Sequence, residues 1–176
     1  MRVAICHYGA GNVRSVEFAL RRLGANVVDD VEGADLAVLP GVGSARTALA
    51  GLKVRGHDVA LRERSAAGRP VLGICLGLQL ALDGSDEDGG TEGLGLLEGR
   101  VPRRGWAAVE PLGAAFYFAH SYACETPNGT AWSEGVVAEA RAGSFLGVQF
   151  HPEKSGAAGS RYLAAVLEEV RCPSPV

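Results

Sequence analysis

Cys75 stands in the run Gly73-Ile74-Cys75-Leu76-Gly77-Leu78-Gln79, where an apolar stretch, Val71 to Ile74, leads straight into a thiol. A helix-like stretch, Leu78 to Leu82, follows. A strand that turns sharply into a helix pushes one side chain out at the carboxyl edge of a sheet, the layout of a nucleophile elbow. Gly73 and Gly77 fit such a turn, because a Cβ on either side of a strained nucleophile collides with neighbouring backbone. A thiol at a helix N-terminus is also expected to shift toward thiolate, through free N–H groups and the helix dipole. The competing reading is a buried core cysteine, the usual fate of an isolated Cys on a strand.

A second run, Gln149-Phe150-His151-Pro152-Glu153-Lys154-Ser155, supplies what a cysteine nucleophile needs. Leu146, Val148 and Phe150 predict a strand with alternate residues facing inward and His151 at its end. Pro152 stops the strand, and Glu153, two residues after the histidine, is placed to reach back to the imidazole. A carboxylate so placed holds one tautomer and supports the imidazolium formed on proton transfer. Without Cys75, His151 reads as an exposed strand-end histidine beside a surface charge. Cysteine, histidine and acid at strand ends far apart in sequence follow the logic of a nucleophilic triad.

These residues need a scaffold, and the chain predicts one. Val3 to Cys6, Val27-Val28, Leu36 to Leu39 and Val71 to Ile74 read as strands. Asn12 to Leu23, Ser44 to Leu52 and Asp58 to Ala67 read as helices between them. This β-α alternation implies an α/β fold, a mostly parallel central sheet with helices on both faces. Asp83 to Thr91 reads as an acidic, Gly-rich loop. The segments after it, rich in Val, Tyr and Phe, suggest an antiparallel extension, and Gly156 to Val170 closes the chain as an amphipathic helix. The Gly-rich turn Tyr8 to Asn12 lacks G-x-G-x-x-G and a Walker lysine, so it reads as a structural turn rather than a phosphate cradle.

Composition narrows the function. With 176 residues, 47% apolar content and a net charge of −3, one domain over residues 1–176 is expected, with neither a basic nucleic-acid surface nor a disordered chain. Met1-Arg2 and one short apolar strand make no signal peptide or membrane span. Cys6, Cys75, Cys124 and Cys172 have no C-x-x-C spacing, so neither a zinc site nor a disulfide framework is expected, and a reducing cytoplasm is. Asn128-Gly129-Thr130 matches a glycosylation sequon but reads as a turn.

On these motifs the chain resembles the class I (triad) glutamine amidotransferases, whose cysteine lies in G-x-C-x-G-x-Q and whose histidine and glutamate lie in H-P-E. More narrowly it is similar to the glutaminase subunits of imidazole glycerol phosphate synthases, ammonia-producing partners of a cyclase in histidine biosynthesis. That similarity rests on Tyr8 to Asn12, Pro40 to Gly43, Gly73 to Leu80 and Gln149 to Ser155, with support from Thr91 to Leu96 and Phe116 to Tyr122. The resemblance implies hydrolysis of L-glutamine by Cys75, His151 and Glu153. It implies oxyanion donors at the Val42 and Leu76 N–H groups and substrate contacts at Gly41, Gly43, Gln79, Glu87, Ser121 and Tyr122. Gln79 and Glu87 would take the glutamine amide and α-amino groups, and Ser121-Tyr122 its carboxylate. The implied partner is an ammonia-accepting, cyclase-like synthase subunit in a heterodimer, met by Asn12, Arg103, Arg104, Trp106 and Ala107. No cofactor, metal, nucleic acid or membrane is implied.

The chain departs from the family where that partner would bind. Pro102-Arg103-Arg104-Gly105-Trp106-Ala107 stands where Pro-His-Met-Gly-Trp-Asn is usual, the segment from Trp106 to Phe116 is short, and His7 replaces a common Asp. These changes lie away from the triad and leave the glutaminase chemistry intact, but they open the partner's identity to a paralogue feeding ammonia to another synthase in specialised metabolism or sugar amidination. Apart from them stand a catalytically silent binding or regulatory subunit, against which Cys75, His151 and Glu153 together argue, and a stand-alone cysteine hydrolase or peptidase.

Overall fold

Short aliphatic runs, cut by glycine and followed by helical segments, fold as β-α units. In this computed structural model the described residues are 1–9, 13–102, 116–118 and 122–173, the side chain of Asp88 excepted. The first units are β1 (Arg2–Ile5), α1 (Val13–Arg22), β2 (Asn26–Val28), β3 (Leu36–Gly41), α2 (Ala45–Val54), α3 (His57–Ala66), β4 (Val71–Cys75) and α4 (Leu76–Ala81). Ser44 starts α2 from extended backbone, its hydroxyl accepting from the Thr47 N–H. The acidic segment holds β5 (Gly84–Ser85) and one 3-10 turn over Glu87–Gly89, where a plain loop was expected, and β6 (Thr91–Glu92) and β7 (Arg100–Val101) complete a small sheet around β5. Then come β8 (Gly129–Ser133), β9 (Val136–Ala142), β10 (Phe145–Val148) and α5 (Gly156–Arg171).

The main sheet has the order β2-β1-β3-β4-β10-β9-β8. β1 pairs parallel with β2 and β3, β3 with β4, and β4 with β10. β9 runs antiparallel to both β10 and β8, so the antiparallel extension belongs to the same sheet. Successive strand residues feed opposite cores. Ala37 and Leu39 of β3 join Leu49, Leu52 and Leu61 of α2 and α3, whereas Leu36 and Val38 join Val16 and Leu20 of α1 and Leu163 and Val166 of α5.

The alternation expected over Leu146, Val148 and Phe150 is found, all three packing in the core beside α5, and the opposite face of the strand is covered as well. All four residues of β10 are buried, because the strand lies between β4 and β9 with a helix on each face. Phe145 packs in the core that contains Leu76 and Leu78 of α4, while Leu146 and Val148 pack in the core that contains Leu163 and Leu167 of α5. A strand covered on both faces shows a continuous apolar run. Among the described residues no helix is long and apolar enough to cross a membrane.

Candidate active site

β4 carries Cys75 to the carboxyl edge of the sheet, where it pairs in register with Gly41 of β3. On the other side Val148 of β10 is level with Ile74, which brings Gln149 level with Cys75. Cys75 adopts φ 54°, ψ −106°, and among the described residues only Glu134 is another non-glycine at positive φ. Such a conformation costs about 1–3 kcal/mol and persists only where its surroundings enforce it. Glycines allow those surroundings to close. A Cβ at Gly77 would lie 1.8 Å from the Leu39 carbonyl oxygen, one at Gly73 2.9 Å from the Gly77 backbone, and one at Gly41 2.5 Å from the Leu76 Cβ. Gly77→Ala must therefore drive α4 away from β3, and a loss of about 3–5 kcal/mol is expected. Urea unfolding measures it, and a loss below about 1 kcal/mol would show that strand and helix are free to part.

His151 follows β10, and the 3-10 turn Pro152–Lys154 folds Glu153 back beneath it. Nδ1 of His151 and Oε1 of Glu153 are 2.8 Å apart, with both side chains 2% exposed. The main chain of His151 is fastened on both sides: its N–H donates to the Tyr117 carbonyl at 2.8 Å, and the Ser155 hydroxyl donates to its carbonyl at 2.7 Å. The Ser155 oxygen in turn accepts from the Tyr117 N–H. A carboxylate at Nδ1 places the proton there and leaves Nε2 as the basic nitrogen. That Nε2 is buried and has no hydrogen-bond partner among the described residues, so its lone pair is open to a proton.

The enclosure of the thiol works against its ionisation. Burial pushes Cys75 up to about 12; the Leu76 N–H, the Lys154 charge and the Gln149 amide pull it down, and the Glu153 carboxylate pushes it further up. The thiolate expected from a helix N-terminus is overruled, because α4 has only six residues and the sulfur is wholly enclosed. A thiol held this way ionises only with a base to take its proton.

Gln149 went unrecognised as a site residue. Its Nε2 donates toward the Cys75 sulfur at 3.7 Å, while its Oε1 accepts from Gln79 Nε2 at 3.1 Å and from the Cys124 thiol at 3.5 Å. Those two donors fix the amide orientation, so its NH₂ faces the Cys75 sulfur. A polar residue one position after a buried strand and one before an apolar Phe was the available signal.

The remaining candidates fall around this centre. Gln79 is buried, with its NH₂ donating to the Tyr122 carbonyl (3.0 Å) and to Gln149 (3.1 Å). The Glu87 carboxylate accepts from the Ala45 N–H at 2.9 Å, at the start of α2 and three residues from Val42. Gly41 serves the close packing of β3 on α4, and Gly43, at φ 103° with open space around it, supplies a backbone conformation that side chains avoid. Val42 N–H donates to the Tyr8 hydroxyl at 2.8 Å, and the Leu76 N–H lies against the Cys75 sulfur. Asn12, Arg103, Arg104, Trp106, Ala107 and Ser121 lie outside the described residues. No group of three His, Cys, Asp or Glu side chains able to hold a metal occurs among the described residues. A thiol on a strained turn, a carboxylate-held imidazole with a free nitrogen and nearby backbone N–H donors are suited to acyl transfer from an amide through a thioester.

Comparison with known proteins settles the family. Residues 8–170 match the family model for "Glutamine amidotransferase class-I". The chain belongs to that family. Relatives include proteins named imidazole glycerol phosphate synthase subunit HisH from Symbiobacterium thermophilum, 47% identical over 93% of this chain and 92% of that one, and from Exiguobacterium sibiricum, 41% identical over 92% of each. The alignment with the former spans 194 residues, so the relative carries stretches with no counterpart in this shorter amidotransferase. The fold is shared with a solved glutamine amidotransferase at a TM-score of 0.71 and 22% identity, over 97% of this chain and 99% of that one. A glutamine amidotransferase from Thermotoga maritima gives 0.58 at 22% identity, over 97% and 83%.

Proposed function

We propose that this amidotransferase hydrolyses L-glutamine to glutamate and ammonia at Cys75, in the cytoplasm, and passes the ammonia to the cyclase subunit of an imidazole glycerol phosphate synthase for histidine biosynthesis. The observation that carries the chemistry is the buried His151–Glu153 pair, with Nε2 open, one strand away from Cys75. His151 Nε2 takes the Cys75 proton as sulfur attacks the substrate's side-chain carbonyl. Imidazolium then protonates the departing ammonia, and water, deprotonated by the same nitrogen, releases glutamate from the thioester. Glu153 supports the imidazolium throughout. The Leu76 and Val42 N–H groups take the oxyanion. Gln79 Oε1 accepts from the substrate amide, Glu87 takes the α-ammonium, and Ser121 with Tyr122 takes the carboxylate.

The names of the relatives, at up to 47% identity over nearly the whole chain, favour the cyclase as partner. One observation favours a second reading: Arg103 and Arg104 add positive charge to the expected partner stretch around Trp106, where Ala107 also stands in place of the usual Asn, and they suit an acidic facing surface. A paralogue serving another synthase would show this. Expression in a histidine auxotroph that lacks its own glutaminase subunit separates the two. Restored growth is expected, together with a glutaminase rate at least about 10²-fold higher in complex with the cyclase than alone. Failure to restore growth by a chain that still hydrolyses glutamine would reassign the partner to another synthase.

A further inference from the structure

Tyr8, in the turn after β1, spends both hydrogen-bonding functions of its hydroxyl on one residue. Its Oη accepts from the Val42 N–H and donates to the Val42 carbonyl, each at 2.8 Å. The N–H belongs to the peptide joining Gly41 to Val42 and the carbonyl to the peptide joining Val42 to Gly43, so one phenol holds two consecutive peptides. We infer that Tyr8 is a positioning residue that keeps the Val42 N–H turned to the phenol, and therefore away from the oxyanion, until the hydroxyl is withdrawn. This inference rests on the proposed reaction, with Cys75 as nucleophile and Val42 as an oxyanion donor.

The surroundings suit a latch. An N–H aimed at Oη has no hydrogen left for a developing oxyanion. Gly41 leaves no room for a side chain and Gly43 sits at positive φ in open space, so the held segment is bounded by the two residues that most easily allow peptide reorientation. The phenol is anchored. Tyr8 is buried, and its main chain packs so closely on α2 that a Cβ on Gly51 would come within 2.2 Å of its carbonyl oxygen. Burial raises the phenol to about 12, which keeps the O–H able to donate throughout the neutral range. In sequence Tyr8 lies four residues before Asn12, which the family resemblance assigns to the partner face. A shift of the Tyr8 backbone reaches the Val42 peptides through its side chain.

The test is Tyr8→Phe in the full chain, with steady-state glutaminase measured alone and with the cyclase subunit. One oxyanion donor is worth about 10²–10³ in kcat, so kcat of the isolated chain should rise at least about tenfold with KM within about twofold, and stimulation by the partner should fall by the same factor. An effect on folding alone would not move kcat upward. Unchanged or lower kcat in a folded variant whose Cys75 still reacts with the glutamine analogue 6-diazo-5-oxo-L-norleucine would overturn the latch and leave the triad standing. Activity that survives Cys75→Ala in the Tyr8→Phe background would instead overturn the proposed reaction, and the latch with it. Tyr8→Met repeats the measurement if the Phe variant does not fold, and loss of fold in both would make the hydroxyl a structural tie and overturn the inference.

Discussion

Cys75→Ala will lose glutamine-dependent activity by several orders of magnitude and keep its fold. The size follows from the chemistry, since removing one member of a nucleophilic set costs about as much as removing all of them. The spared fold follows from the geometry. Alanine brings the same Cβ to φ 54°, and the glycines that enforce the elbow at positions 41, 73 and 77 are untouched. The sulfur gives up a long contact from Gln149 at 3.7 Å and the Leu76 N–H beside it. Ammonium salts supplied to the variant with its partner should restore synthesis, because the acceptor site needs ammonia and not glutamine. Near-normal glutamine hydrolysis by Cys75→Ala would remove the nucleophile assignment altogether.

Glu153→Gln should reduce kcat by about 10²–10⁴ with little change in KM, by analogy with the amide replacement of the acid in a serine-histidine-aspartate triad. The amide cannot support the imidazolium as a carboxylate does, and its NH₂ turned toward Nδ1 would select the wrong tautomer. Stability should hold or rise. Glu153 is buried with Oε2 unpartnered among the described residues, and neutralising an under-satisfied buried carboxylate relieves desolvation. Urea midpoints and steady-state kinetics on one preparation separate the two effects. A kcat within tenfold of the parent would demote Glu153 to a packing residue.

Much of this site was legible in the residues themselves. Gly73, Gly77 and the apolar run before Cys75 announce a strand forced into a tight turn, and the structure shows atoms colliding with any Cβ added there. His151-Pro152-Glu153 announces a turn that brings an acid under an imidazole, and the two are 2.8 Å apart. What escaped depends on neighbours distant in sequence. Gln149 meets Cys75 only because β10 pairs with β4, a pairing no local pattern reveals. The burial of the second face of β10, under α4 as well as α5, is likewise invisible in the alternation of Leu146, Val148 and Phe150. The charge state of Cys75 was misjudged because helix position is visible in a sequence and enclosure is not. Tyr8 reads as part of a Gly-rich turn until the fold lays Val42 across its hydroxyl.

The place of β10 in the sheet also has a consequence for how the protein is born. Cys75 has its β3 neighbour beside it early in translation, but Gln149 lies 74 residues downstream, and His151 follows still later. At 5–20 residues per second a ribosome takes roughly 4–15 s to cross that interval. During that time β4 offers an unpaired edge, a hazard for association with other nascent chains. Its thiol meanwhile has no imidazole to take the proton, so a half-made chain releases no ammonia into the cell.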